Sequence, residues 1–132
     1  MLPRRHRLTA PEDYRAVMRG RASTDGRRRS RAGTDLLVVH VALPDPAADN
    51  LPSMAEGRCP RVGFAVSKGV GNSVVRHRVL RRLRVQMGVR LSRLPEGGDT
   101  VVRALAPAAG ATSAQLGEAL DAALAKVLRV RT

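Results

Sequence analysis

Between Glu56 and Glu96 the chain carries no carboxylate, yet it places ten cations there: Arg58, Arg61, Lys68, Arg76, Arg78, Arg81, Arg82, Arg84, Arg90 and Arg93. Such a stretch has no opposite charges of its own to fold against. It must hold its cations at a surface and bury something else. The residues between them say what. Stepping about 100° per residue from Val75, the residues Val79, Leu80, Leu83, Met87 and Leu91 fall on one side of a helix, and His77, Arg78, Arg81, Arg82 and Arg84 on the other. Arg76 is the exception: it lies toward the apolar side, in the first turn, where it reaches the rim. The spacing predicts an amphipathic helix over about 72–93 whose outer face has one sign.

A solvated helix face normally mixes signs, because like charges three or four residues apart destabilise a helix. Arg78/Arg81, Arg78/Arg82 and Arg81/Arg84 are all such pairs. A local conflict of this kind marks a functional surface, here one built for phosphate. The whole chain agrees: 24 Lys and Arg against 11 Asp and Glu give a net charge of +13 over 132 residues. That excess calls for a polyanionic partner. Only Lys68 and Lys126 are lysines. Arginine's planar fork suits phosphate and base stacking; codon bias in a GC-rich genome is the other source of such an excess.

The remaining segments frame this helix. MLPRRHRL, 1–8, is a basic arm. A short helix follows over about 10–20, with Tyr14, Val17 and Met18 on one face. Residues 21–35 are polar and basic and read as a loop with room for one poorly formed strand. LLVVHVAL, 36–43, and RVGFAVS, 61–67, are strands by their β-branched content and alternation. Residues 44–60, with four prolines, form a surface connection. TVVRALA, 100–106, is a strand. A last helix, with Ser113 as its expected N-cap, runs to about 130 and lines up Leu116, Leu120, Leu124, Val127 and Leu128. The order is α-β-β-α-β-α, or α-β-β-β-α-β-α if 21–35 contributes. One domain over 1–132 with a sheet covered by helices is the expected architecture.

Several function classes are absent from this pattern. There is no GK[ST] Walker motif and no GxGxxG fingerprint. Cys59 is the only cysteine, and His6, His40 and His77 are far apart in sequence, so neither a disulfide nor a zinc site is indicated. Carboxylates are sparse and lie mostly in loops, which argues against a two-carboxylate nuclease centre acting alone. The N-terminus lacks an apolar signal region and no stretch is long enough to span a bilayer, so a cytoplasmic protein is expected. Nothing resembles a helix-turn-helix, zinc finger or basic zipper. With Tyr14 and Phe64 the only aromatics, recognition of backbone and shape is expected, which fits folded RNA. In KGVGN, Gly69 and Gly71 either let backbone approach a ligand or simply make a tight strand-to-helix turn.

The stretch VGFAVSKGVGNSVVRHRVLRRLR resembles the signature of the bacterial ribonuclease P protein subunit, S-K-x-x-G-N-A-V-x-R-N-R-x-K-R-x-x-R. Ser67, Lys68, Gly71, Asn72, Val74, Arg76, Arg78, Arg81 and Arg84 stand at matching positions. RHRLTAPEDYRAVMRGR resembles the family's opening, and TVVRALAPAAGATSAQLGEALDAAL its closing strand and helix. The resemblance implies a two-layer α/β (α+β) sandwich with a mixed central sheet and a left-handed β-α-β crossover. It implies a partner, the catalytic RNA of ribonuclease P, and a substrate, the 5′ leader of precursor tRNA. It assigns hydrolysis to the RNA and its bound Mg²⁺, with no small-molecule substrate and no membrane. Carried over, RNA binding falls to Ser67, Lys68, Gly71, Asn72, Arg76, His77, Arg78, Arg81, Arg82 and Arg84. Leader contact falls to Tyr14, Met18 and His40. His77, Leu80 and Leu105 depart from the frequent Asn, Lys and Arg, and the basic run GRRRSR, 26–31, lies outside the family pattern. Without the resemblance, a general or ribosomal RNA-binding protein is the alternative.

Overall fold

A computed structural model describes residues 6–9, 11–18, 27–44, 59–95 and 97–128. Helix α1 spans Pro11–Met18; strands β1, β2 and β3 span Arg27–Gly33, Leu37–Pro44 and Arg61–Ala65; helix α2 spans Ser73–Gly88; strand β4 spans Asp99–Ala104; helix α3 spans Ser113–Leu128. The order is α-β-β-β-α-β-α. The four strands form one mixed sheet in the order β1-β2-β4-β3. β1/β2 and β2/β4 are antiparallel, and β3/β4 is a parallel neighbour pair joined through α2.

β2 fixes the two faces. Its odd residues Leu37, Val39, Val41 and Leu43 are buried against Val79, Leu83 and Met87 of α2 and Leu116, Leu120, Leu124 and Val127 of α3. This is the main core, and the apolar faces read from the sequence for both helices are the ones buried. On the opposite face, Ala42 of β2 and Val101 of β4 pack with Leu8 and Val17, and Tyr14 and Ala65 close over them. α1 therefore sits across the sheet from α2 and α3.

The segment read as a loop, 21–35, contributes β1. Its sequence RRRSRAG has no apolar alternation, because β1 is an edge strand that buries only Ala32 deeply among its described side chains. Its pairing comes from β2, and a charged edge is what resists unwanted pairing with other chains. Thr34 closes the hairpin: its Oγ1 accepts from the N–H of Leu36 and Leu37 at 3.2 and 3.3 Å.

Other boundaries shift by a few residues. α2 stops at Gly88, and the expected tail to 93 becomes a 3₁₀ turn, Leu91–Arg93. The cap of α3 is Thr112, not Ser113. Thr112 Oγ1 accepts from Gln115 N at 3.1 Å while Gln115 Oε1 accepts from Thr112 N at 2.9 Å, a reciprocal capping box. Ser113 instead accepts from Gln86 Nε2 at 2.8 Å and ties α3 to α2.

The far edge of the sheet is closed by the N-terminal segment. Leu8 N donates to Val62 O at 2.9 Å, His6 Nδ1 meets Pro60 O at 2.7 Å, and Tyr14 Oη accepts from Phe64 N at 3.1 Å. Edge groups of β3 that would otherwise lie open are thereby satisfied. Within the described residues the basic arm is docked from 6 to 8. Most of the connection 44–60 lies outside them.

Candidate nucleic-acid interface

Arg58 lies outside the described residues, and the other nine cations of the carboxylate-free stretch divide into three groups. Arg61, Arg90 and Arg93 are paired with carboxylates from elsewhere in the chain. Arg61 Nε and Nη2 donate to the buried Asp99, each at 2.9 Å. Arg90 and Arg93 both reach Asp121 of α3, at 2.8 and 2.7 Å. The second group is anchored on backbone. Arg82 Nη1 donates to Ala111 O at 2.6 Å, and Arg78 Nη2 lies 3.4 Å from Ala109 O, a longer contact. These two bonds fix where the α2 face points relative to the 3₁₀ turn Ala106–Gly110. The third group, Lys68, Arg76, Arg81 and Arg84, makes no side-chain hydrogen bond or ion pair among the described residues. The Nε atoms of Arg76 and Arg78 are buried without a partner.

Local sequence builds this face. Gly71 adopts φ 156, ψ −168, a conformation essentially restricted to glycine, and a Cβ there would lie 2.8 Å from Val75 Cγ1. Asn72 then caps α2, its Oδ1 accepting from Val75 N at 3.0 Å. The turn residues of KGVGN thus have structural work: Gly71 makes the turn and Asn72 starts the helix. No acidic residue lies in the first turn of α2, so the positive end of the helix dipole adds to the cationic field. Ser73, Val74, His77, Arg78 and Arg81 line an open depression of about 500 Å³. Ser67 and Lys68 are exposed just ahead of it.

A second cationic surface lies on the α1 side of the sheet. His40 is on this face, next to Ala42, and its register neighbours are Arg31 on β1 and Val101 on β4. Arg103, two residues past Val101, shares the face. His40 is only 6% exposed, and its Nε2 is buried without a hydrogen-bond partner. Burial holds its pKa below the usual histidine value, and the nearby Arg103 and Arg31 guanidinium groups lower it further. Arg31 and Arg103 are exposed and unpaired among the described residues. Tyr14 is half-buried; its ring lies against Gly63, where an added Cβ would sit 2.4 Å from the ring. The Met18 side chain lies outside the described residues.

The sequence reading named His40 and Tyr14 but missed Arg31 and Arg103. Their signal was the two-residue period: once β1 pairs with β2, Arg29 and Arg31 fall on the His40 face, as Arg103 does on β4. The α2 residues and the Tyr14/His40 set lie on opposite faces of the sheet. They are two surfaces, not one.

A family model described as Ribonuclease P matches residues 2–128. The chain belongs to the ribonuclease P protein family. Among its relatives, the ribonuclease P protein component of Streptomyces bikiniensis is 48% identical over 132 residues, covering 97% of this chain and 96% of that protein. That of Corynebacterium diphtheriae is 40% identical over 131 residues, covering 99% and 100%. The fold matches the Staphylococcus aureus RNase P protein, with TM-score 0.68 at 22% identity over 96% of this chain and 98% of that one. It also matches the Thermotoga maritima RNase P protein, with TM-score 0.64 at 17% identity over 96% of this chain and 98% of that one. As a ribonuclease P protein, the chain is the protein part of an RNA-based endoribonuclease of tRNA 5′ processing. Membership gives no support to the alternative of a general or ribosomal RNA-binding protein.

Proposed function

We propose that the two cationic faces hold two RNA elements. The α2 face binds the catalytic RNA through Ser67, Lys68, Gly71, Asn72, Arg76, His77, Arg78, Arg81, Arg82 and Arg84. The α1 side of the sheet takes the 5′ leader of precursor tRNA over Tyr14, Met18 and His40, with Arg31 and Arg103 added. The observation that carries this reading is that Lys68, Arg76, Arg81 and Arg84 on one side of the sheet, and Arg31 and Arg103 on the other, have no carboxylate partner among the described residues. Arginines that merely balanced charge would be paired as Arg61, Arg90 and Arg93 are.

The mechanism is neutralisation and positioning. Two RNA strands brought close repel through their phosphates. Fixed guanidinium groups lower that repulsion and release condensed counterions, which favours assembly. Guanidiniums held by backbone carbonyls, as Arg82 is by Ala111, are already oriented and lose less freedom on binding. Among the described residues no group of three or more His, Cys, Asp or Glu side chains is arranged to hold a metal ion. In this reading Mg²⁺ is held mainly by the RNA. No described helix is long and apolar enough to cross a membrane, and the proposed place of work is the cytoplasm.

Reconstitution tests the reading. Adding the chain to its cognate catalytic RNA is expected to lower the Mg²⁺ needed for cleavage and to favour precursor over mature tRNA. Equal affinity for precursor and mature tRNA in the assembled enzyme would remove the leader assignment.

A further inference from the structure

The end of α2 is chemically unlike its beginning. Arg81 and Arg84 are open, whereas Arg90 and Arg93, one to two turns further along, converge on a single carboxylate from α3. Arg90 Nε and Nη2 donate to Asp121 Oδ1 and Oδ2 at 2.8 and 3.1 Å, and Arg93 Nη1 donates to Oδ1 at 2.7 Å. Arg90 Nη1 is occupied as well, by Gln86 O at 2.8 Å and Gln86 Oε1 at 2.9 Å. Gln86 is in turn held by Ser113. Every nitrogen of the Arg90 guanidinium is engaged, and its side chain is only 15% exposed.

α3 makes room for this arrangement. A Cβ at Gly117 would lie 2.6 Å from Gln86 Oε1 and 3.0 Å from Arg90 Nη2. Glycine within a helix is less favourable than alanine by about 1 kcal/mol. Stability offsets that cost at best in part: Asp121 is half-exposed, exposed pairs contribute roughly 0–1 kcal/mol, and the bidentate contact to Arg90 stands at the upper end of that range. What the pairing does achieve is to withdraw two cations from a surface that is otherwise open to phosphate.

We propose that Asp121 is a boundary-setting residue for RNA recognition: by engaging Arg90 and Arg93 it ends the phosphate-binding face of α2 at Arg84 and limits non-specific affinity. The inference rests on the reading of α2 as an RNA-binding face. Phosphate contacts carry no sequence information. Cations left open past the intended footprint would strengthen binding to any strand that reached them.

The test is the salt dependence of binding of the full chain to oligouridylate, used as a non-specific single strand. Asp121→Ala removes the carboxylate shared by two guanidinium groups, Arg90 keeping its Nη1 contacts to Gln86, and the slope of log K against log salt is expected to steepen by about 0.7 to 1.4, one to two phosphates. Arg90→Ala with Arg93→Ala in the otherwise unchanged chain is expected to leave the slope as it was. The triple variant Asp121→Ala, Arg90→Ala, Arg93→Ala should return to that value. Glu118→Ala is the control, since Glu118 is exposed on the same helix, makes no ion pair among the described residues, and changes net charge equally. Equal slopes for Asp121→Ala and Glu118→Ala would overturn the proposal. So would a shallower slope on removing Arg90 and Arg93 alone, since they would already be in contact. Arg81→Ala with Arg84→Ala separates the underlying reading: if that pair leaves the slope unchanged, the α2 face itself is wrongly assigned.

Discussion

Arg61 and Asp99 face each other across the parallel β3/β4 pair, and the guanidinium meets both carboxylate oxygens at 2.9 Å. Asp99 is 1% exposed and Arg61 about a quarter exposed. This pair is structural, although Arg61 belongs to the carboxylate-free cationic stretch. Removing one partner leaves a charge without its main compensation. Arg61→Met is expected to cost about 3 kcal/mol, read by urea unfolding. Arg61→Met with Asp99→Leu should recover part of that loss, because the buried carboxylate that Arg61 compensates is removed with it. Destabilisation of the double variant equal to the single would show that the pair is not the source.

Tyr14 separates packing from recognition. Its hydroxyl accepts the edge N–H of Phe64, while its ring covers Gly63. Tyr14→Phe keeps the ring and removes the acceptor. The expected cost is about 1 kcal/mol of stability, with leader affinity unchanged within about twofold. Tyr14→Ala should lose both. A large loss of leader binding in Tyr14→Phe, at unchanged stability, would mean that the hydroxyl serves the RNA rather than the sheet.

The element order and both amphipathic helices were legible because their apolar periods are strong: Val79, Leu83 and Met87 on α2, and Leu116, Leu120 and Leu124 on α3, are all fully buried. β1 was only half legible. An edge strand draws its order from its neighbour's backbone, so RRRSRAG carries no pattern of its own. The α2 face was visible as a run of like charge, but not its division. Nothing local to Arg90 or Arg93 announces that Asp121, about thirty residues on, will neutralise them. Thr112 was missed as the cap because the adjacent Ser113 is as good a candidate by type; the Gln115 partner three residues on distinguishes them. Arg31 and Arg103 were hidden for the same reason as β1, since their shared face with His40 exists only once the register is known.

That register makes a prediction about charge. Arg31 and Arg103 are exposed and unpaired among the described residues, so neither supports the fold. Arg31→Ala with Arg103→Ala is expected to leave the unfolding midpoint unchanged. It should flatten the salt slope of leader binding by about 1.4, at roughly 0.7 per single-strand phosphate contact. Binding of mature tRNA by the assembled enzyme should not change. An unchanged leader slope would place the leader elsewhere.

His40 makes the α1 face sensitive to pH. Its folded pKa is lowered, first by burial and then by Arg103 and Arg31. Well above 6.5, the ordinary histidine value, both the folded and unfolded states hold a neutral imidazole, and pH has no effect through this residue. As pH falls below that value, the unfolded chain takes up a proton that the folded chain refuses. Stability therefore declines until pH reaches the lower folded pKa, and then levels off. His40→Gln removes this titration. Unfolding free energies at pH 7.5 and 5.5 should thus show a smaller acid-side loss for His40→Gln than for the parent chain. Because every other group is common to both proteins, only the difference between the two profiles reports His40. Leader phosphates beside His40 add the opposite charge and raise its pKa, so bound leader should shrink that difference. If the leader leaves the difference untouched, no phosphate lies near the imidazole, and His40 is only a packed residue of β2.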